Sequence, residues 1–175
     1  MMINPELKKN SPQILIVDDQ KTLRLVLRKA IEKQGYQAIE ACNGQHCLDI
    51  CQKITPDMIL LDAMMPGMNG FECSTKLQTL MGDRCPPILM ITVLDDQESV
   101  ERALQVGASD YITKPINWNL LAQRVNRLLT SGWAILETRR QIERECRLTV
   151  GLETANRELQ SIASTDVLTK LASRT

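Results

Sequence analysis

Asp57-Met58-Ile59-Leu60-Leu61-Asp62-Ala63-Met64-Met65-Pro66-Gly67-Met68-Asn69-Gly70 runs from an unbroken apolar segment into a turn of Pro, Gly and Asn. Met58 to Leu61 delivers one carboxylate, Asp62, into that turn, which is how a buried parallel strand ends at the working edge of a sheet. Taken alone, such an Asp caps the next helix or meets solvent. Its company argues for more: Ile14-Leu15-Ile16-Val17 ends in Asp18-Asp19, Ile88-Leu89-Met90-Ile91 ends in Thr92, and Tyr111-Ile112-Thr113 ends in Lys114-Pro115. Four strands each deliver polar chemistry at the carboxyl end.

Between these strands the periodicity changes to that of helices. Met1 to Pro12 is polar and reads as a loose arm, and the first strand is Gln13 to Val17. Gln20 to Gln34 carries Leu23, Val26, Leu27, Ala30 and Ile31 at helical spacing, and Gly35 stops it. Tyr36 to Glu40 reads as a short strand, and Asn43 to Lys53 as a helix burying Cys47, Leu48, Ile50 and Cys51. Phe71 to Leu80 follows as a helix with Phe71, Leu77 and Leu80 inward, and Pro86-Pro87 leads into the fourth strand. Asp95-Asp96 can cap a helix through Val106, with Val100, Ala103 and Leu104 inward. Asp110 to Thr113 is the fifth strand, and Asn117 caps a helix containing Leu120, Leu121, Val125, Leu128 and Leu129. Strict alternation with short connections gives right-handed crossovers and a parallel sheet covered on both faces. Ligands of such sheets sit beyond the carboxyl ends, where Asp18, Asp19, Asp62, Thr92 and Lys114 fall.

Composition limits the partners. With 21 basic and 21 acidic residues the formal charge is zero, so electrostatics gives no reason to expect nucleic acid or a membrane surface. No signal peptide opens the chain and no apolar run nears the roughly 18 residues of a membrane span, so a cytoplasmic location is expected. The six cysteines have no paired metal spacing and read as buried reduced thiols. His46, the only histidine, reads as a surface or helix-packing residue.

Three clustered carboxylates repel unless a cation holds them, and an oxygen-only donor set calls for a hard ion, magnesium above others. A lysine and a hydroxyl at the rim complement a transferred phosphoryl group, which an Asp can accept as an acyl phosphate. With these positions in place, the segment Gln13 to Leu129 resembles the receiver domain of two-component response regulators. The resemblance implies an α/β, flavodoxin-like, doubly wound fold: a five-stranded parallel sheet in the order 2-1-3-4-5. It also implies that Asp62 takes a phosphoryl group from a sensor histidine kinase or a phosphotransfer protein. Asp19, Asp62 and the Met64 carbonyl would bind Mg2+, with Asp18 acting through water. Lys114 would pair with the phosphoryl, Thr92 would move to bond it, Tyr111 would swing inward behind Thr92, and Pro115 would support the turn. Met64 and Leu94 occupy positions that tune the lifetime of the acyl phosphate in that family; both are apolar here, which suggests slow to intermediate loss.

The remainder has another character. From Ser131 it is charged and helical, and Ile135, Ile142, Thr149, Asn156 and Ala163 recur every seven residues, with Leu152 and Leu159 three places after Thr149 and Asn156. This is the seam of a two-stranded coiled coil with Asn156 as a register-fixing polar residue, so a homodimer formed on phosphorylation is expected. The seam is imperfect: Thr138 and Glu145 take apolar positions, and Gly151 costs about 1 kcal/mol in a helix interior. A plain amphipathic helix packed on its own receiver is the competing reading.

Ser164 to Arg174 resembles the opening of the GGDEF family of diguanylate cyclases, commonly written DxLTGLxNR. Asp166, Leu168, Thr169, Leu171 and Arg174 match, while Lys170 stands where Gly is usual and Ser173 where Asn is usual. The Gly-Gly-acidic-Glu-Phe loop that grips substrate phosphates is missing, so this chain is not expected to be a cyclase by itself. The expected organisation is an arm (1–12), a receiver (13–130), a helical linker (131–163) and the start of an output domain (164–175). The alternatives are a free-standing phosphate shuttle, a receiver with another output, and a magnesium-dependent phosphatase with an Asp nucleophile. The last would want an acid two residues after Asp62, where Met64 stands.

Overall fold

The computed structural model describes residues 11–93 and 103–172, with side chains described as far as residue 161. One sheet holds five parallel strands in the order β2-β1-β3-β4-β5: β1 Gln13–Val17, β2 Gln37–Ala41, β3 Met58–Asp62, β4 Ile88–Thr92 and β5 Asp110–Thr113. The connecting helices are α1 Lys21–Lys33, α2 Gly44–Lys53 and α3 Gly70–Met81, and α4 Trp118–Ala172 follows β5. Residues 103–105 are helical as well. The rest of the helix expected from Asp95, together with Leu94 and Val100, lies outside the described residues.

Burial explains the apolar runs. β3 and β4 are buried at every residue and β1 at all but its first, as a parallel sheet covered on both faces requires. One face packs Leu15, Val17, Ile59, Leu61 and Met90 against Cys47 and Leu48 of α2 and Phe71, Cys73 and Leu77 of α3. Strand alternation sends Ile14, Ile16, Leu60 and Leu89, equally buried, to the other face. Each of these side chains contributes about 1.5–3 kcal/mol by leaving water. Asparagines start α2, α3 and α4: Asn43 accepts from the His46 amide (2.8 Å), Asn69 from Glu72 (2.9 Å), and Asn117 from Asn119 and Leu120 (both 3.1 Å), while α1 follows Gln20 with no side-chain cap.

Several expected details are corrected. Two apolar residues expected inward, Leu80 and Leu104, are exposed, and so are Val26 and Leu120 among the periodic apolar positions. Each sits about 100° around its helix from a better-placed neighbour or stripe, and the sheet accepts only the narrower stripe. β2 begins at Gln37, one residue later than expected, because the Tyr36 amide turns back to the Ile31 carbonyl (3.4 Å) and closes α1. The cysteines are all free thiols, but only Cys47, Cys51 and Cys73 are buried; Cys42 and Cys146 are exposed.

The chain forms two compact units, residues 1–132 and 133–175. In the second, every residue from Ala134 to Ser161 is helical and exposed.

Candidate functional site

Strand register brings the expected groups together. Val17 pairs with Leu61, so Asp18 and Asp62 leave neighbouring strands at one level; Asp62 pairs with Ile91 and Thr92 with Thr113, so Thr92 and Lys114 follow in step. The strand order switches between β1 and β3, the place where open parallel sheets bind ligands. Asp18 and Asp62 are each 1% exposed and Thr92 is buried beside them in the sheet, while Asp19 and Met64 reach solvent.

Lys114 organises the charge. Its ammonium donates to Asp62 Oδ1 at 3.0 Å and lies 3.6 Å from Asp18 Oδ2. Asp18, Asp19 and Asp62 bring carboxylate oxygens within 4.8 Å of one another. Asp18 Oδ2 and Asp62 Oδ2 are buried with no hydrogen-bond partner. Leaving a buried polar atom unsatisfied costs about 1–3 kcal/mol, more when it is charged. An oxygen-only set with Asp62 Oδ2 unpartnered, Asp18 Oδ2 met only at 3.6 Å by Lys114, and one exposed member fits a hard divalent cation that keeps some of its water.

Burial pushes the Asp62 carboxyl up from its ordinary value; the Lys114 hydrogen bond opposes this, and the nearby Asp18 charge adds to it. Burial likewise raises Asp18, against the hydrogen bond that its Oδ1 accepts from the Gln20 amide at 2.7 Å and against Lys114. Both acids are thus held ready to gain from a cation.

The loop after β3 needs two glycines. Gly67 has φ +74°, a conformation that L side chains rarely adopt. A Cβ at Gly70 would stand 2.2 Å from the Asp62 carbonyl oxygen, because the Gly70 amide returns to bond the Ala63 carbonyl at 2.9 Å. Met64 lies in this loop, its amide 3.4 Å from Asp62 Oδ1. The Lys114–Pro115 peptide bond is cis.

Tyr111 is half-buried against the core, its ring 5.5 Å below the Arg124 guanidinium. Arg124 also bonds the Tyr111 carbonyl, and Arg124 and Arg127 both pair with Asp110. Sequence reading missed these partners, as it missed Arg24, whose guanidinium bonds the Asp18 and Asp19 carbonyls. Nothing in spacing marks Arg24, because its targets are two main-chain carbonyls and Glu40, an acid 16 residues on. His46 is exposed on the first turn of α2, 3.7 Å from Cys42 Sγ. Cys47 is buried beside Cys51 and Cys73, whose thiols together with burial hold its own far above the usual range. Such thiols are inert.

Of the expected seam, Ile135, Ile142, Leu152 and Leu159 are 59%, 55%, 71% and 66% exposed, and Asn156 is exposed too. Ser164 to Ala172 is helical backbone.

Comparison with known proteins agrees with this geometry. The family profile described as the response regulator receiver domain matches residues 14–126. The phosphate regulon transcriptional regulatory protein PhoB of Pseudomonas aeruginosa is 38% identical over 116 residues, covering 66% of this chain and 51% of that protein. The response regulator PleD of Caulobacter vibrioides is 38% identical over 133 residues, 76% of this chain and 29% of PleD. The solved receiver domain of a signal transduction histidine kinase from Syntrophus aciditrophicus superposes with a TM-score of 0.64 at 36% identity, over 69% of this chain and 92% of that one. The chain spans about half the length of the transcriptional regulators it matches, 52% and 51% for two of them.

Proposed function

The chain belongs to the response regulator receiver family, and from that premise we propose that Asp62 is its phosphoacceptor. The observation that carries this is the state of the Asp62 carboxylate: buried, with one oxygen on Lys114, the other orphaned, and Asp18 and Asp19 alongside. Receivers of two-component systems take their phosphoryl group from a histidine kinase or a phosphotransfer protein. An Asp62 oxygen attacks the phosphorus of a phosphohistidine, the P–N bond breaks, and the electron pair leaves on the imidazole nitrogen, which takes up a proton. Asp18, Asp19, Asp62 and the Met64 carbonyl would hold Mg2+, which when bound neutralises charge on the transferring oxygens. Lys114 then passes from the carboxylate to a phosphoryl oxygen, Thr92 closes on a second, and Tyr111 turns inward behind it.

The output reading rests on the tail. Exposed Ile135, Ile142, Leu152 and Leu159 on one helix support a linker over residues 131–163 that pairs with a second copy, with Asn156 in the seam. The resemblance of residues 164–175 to the opening of the GGDEF family supports a diguanylate cyclase as the output. Phosphorylation need bias the pairing equilibrium by only a few kcal/mol. No described helix is long and apolar enough to cross a membrane.

Light scattering in Mg2+, with and without beryllofluoride as a phosphoryl mimic, tests the reading on this chain and on Asp62→Asn. The expected result is a shift from monomer to dimer that requires both beryllofluoride and Asp62. A dimer under every condition would replace gated pairing by reorientation of a standing pair. A monomer throughout would overturn the seam.

A further inference from the structure

Between the two acids that follow β1 and the first turn of α1 the chain doubles back tightly, and one side chain spans the bend. Arg24 is mostly buried, its side chain 12% exposed. Its Nη1 donates to the Asp18 carbonyl at 2.7 Å and to the Asp19 carbonyl at 3.2 Å. Its Nε donates to Glu40 Oε2 on β2 at 3.3 Å, and Glu40 is held in turn by Arg28 at 3.2 Å. The guanidinium fork therefore ties the acidic loop to the edge strand, a geometry that a lysine ammonium cannot reproduce.

We propose that Arg24, anchored by Glu40, is a positioning residue for the divalent-cation site: it fixes the main chain of Asp18 and Asp19 so that their carboxylates meet Asp62. The inference rests on the cation-binding part of the reading above and adds a residue to it. Asp18 has further constraints, since its amide bonds the Ala41 carbonyl at 3.3 Å and its Oδ1 accepts from the Gln20 amide. Asp19 is exposed, so its main chain does most to decide where its carboxylate points. The Arg24 bond to the Asp19 carbonyl bears on that main chain directly. Loss of a partner that orients a ligand typically lowers metal affinity about 10–100-fold.

Charge alone predicts the reverse. Arg24 is a cation beside a cation site, so its removal would strengthen Mg2+ binding if electrostatics were all it supplied. The two accounts differ in sign.

The test is calorimetric titration of the full chain with Mg2+, for the native protein, Arg24→Gln, Arg24→Lys and Glu40→Gln, with Asp19→Asn marking loss of a ligand and thermal melts in EDTA reporting folding. The expected result is Mg2+ binding weakened about tenfold in Arg24→Gln and nearly as much in Arg24→Lys, which keeps the charge but loses the fork. Glu40→Gln, which leaves the carbonyl bonds and loosens their anchor, is expected to lose less in the same direction. It also supplies the answer if Arg24→Gln does not fold. Unchanged or tighter binding in folded Arg24→Gln, or in Glu40→Gln should that variant be needed, overturns the inference while leaving the cation site standing. If the native chain takes up no Mg2+ and Asp19→Asn behaves identically, the cation site itself falls and the inference falls with it.

Discussion

The carboxyl edge of the sheet and the helix beyond residue 133 use opposite solutions to the same requirement. At the sheet edge almost everything is matched within the chain: Asp62 to Lys114, Asp18 to the Gln20 amide, the Asp18 and Asp19 carbonyls to Arg24. What is left over is small and specific, two buried carboxylate oxygens. In the helix from Ala134 to Ser161 the apolar side chains are left uncovered, with Leu148, Leu152 and Leu159 all at least 66% exposed. On the reading proposed above, a cation and a phosphoryl group would complete the first region, and the apolar face of a second copy would complete the second. Chemistry can be written inside one chain, whereas a paired helix has half of its core in another.

Breaking the first region has the largest expected effect. Asp62→Asn is expected to abolish phosphoryl uptake from acetyl phosphate in Mg2+, read as loss of the phosphorylated band on a phosphate-affinity gel. Uptake equal to that of the native chain would assign the acceptor elsewhere.

Against the second region, Leu152→Asp with Leu159→Asp puts two charges into the seam. The beryllofluoride-induced dimer is expected to weaken about 100-fold or more in sedimentation equilibrium, roughly 3 kcal/mol. Monomer stability should hold, because both side chains are exposed in the monomer. An undiminished dimer would move the interface off this face.

Next in size is Gly70→Ala. Its Cβ would meet the Asp62 carbonyl at 2.2 Å, so the loop must shift, at a cost of about 1–3 kcal/mol in urea unfolding. Gly151→Ala, with open space around it, is expected to stabilise the tail helix by about 1 kcal/mol, visible as raised helicity on heating. Equal effects of the two changes would erase the contrast between a closed and an open region.

The smallest effect is a pH dependence. Burial raises Asp62 and Asp18 above their ordinary 3.8, so the fold, without a cation, gains from their protonation. That gain is complete below 3.8 and is lost as pH climbs through the raised values. Asp62→Asn has no such charge to bury. Its melting temperature in EDTA, relative to the native chain, should therefore rise with pH from about 4 to 7.5 by a few degrees, and Mg2+ should shrink the difference. A difference that stays flat with pH would mean that the Asp62 carboxylate is fully compensated by Lys114.

How much of this was legible in the sequence follows the same division. The strands were, because a sheet covered on both faces leaves Ile14 to Val17, Met58 to Leu61 and Ile88 to Ile91 no polar positions, and each such run ended in a group of the site. The start of β2 was off by one because Tyr36 serves α1 first, a main-chain bond without a side-chain signature. Leu80 and Leu104 were assigned inward because hydrophobicity reports what could be buried, not the width of the face that buries it. Gly70 stood in the quoted loop, but the need for glycine is set by the returning chain and exists only in three dimensions. Arg24, Arg124 and Arg127 were illegible for the same reason, their partners being carbonyls or an acid many residues away.

The most direct measurement is to treat the native chain with acetyl phosphate in Mg2+ and locate the added phosphoryl group by fragmentation mass spectrometry. The account predicts one phosphoryl, on Asp62, that disappears when Mg2+ is chelated before the reaction. A phosphoryl on Asp18, Asp19 or any other residue, or the same yield on Asp62 without a divalent cation, would contradict it.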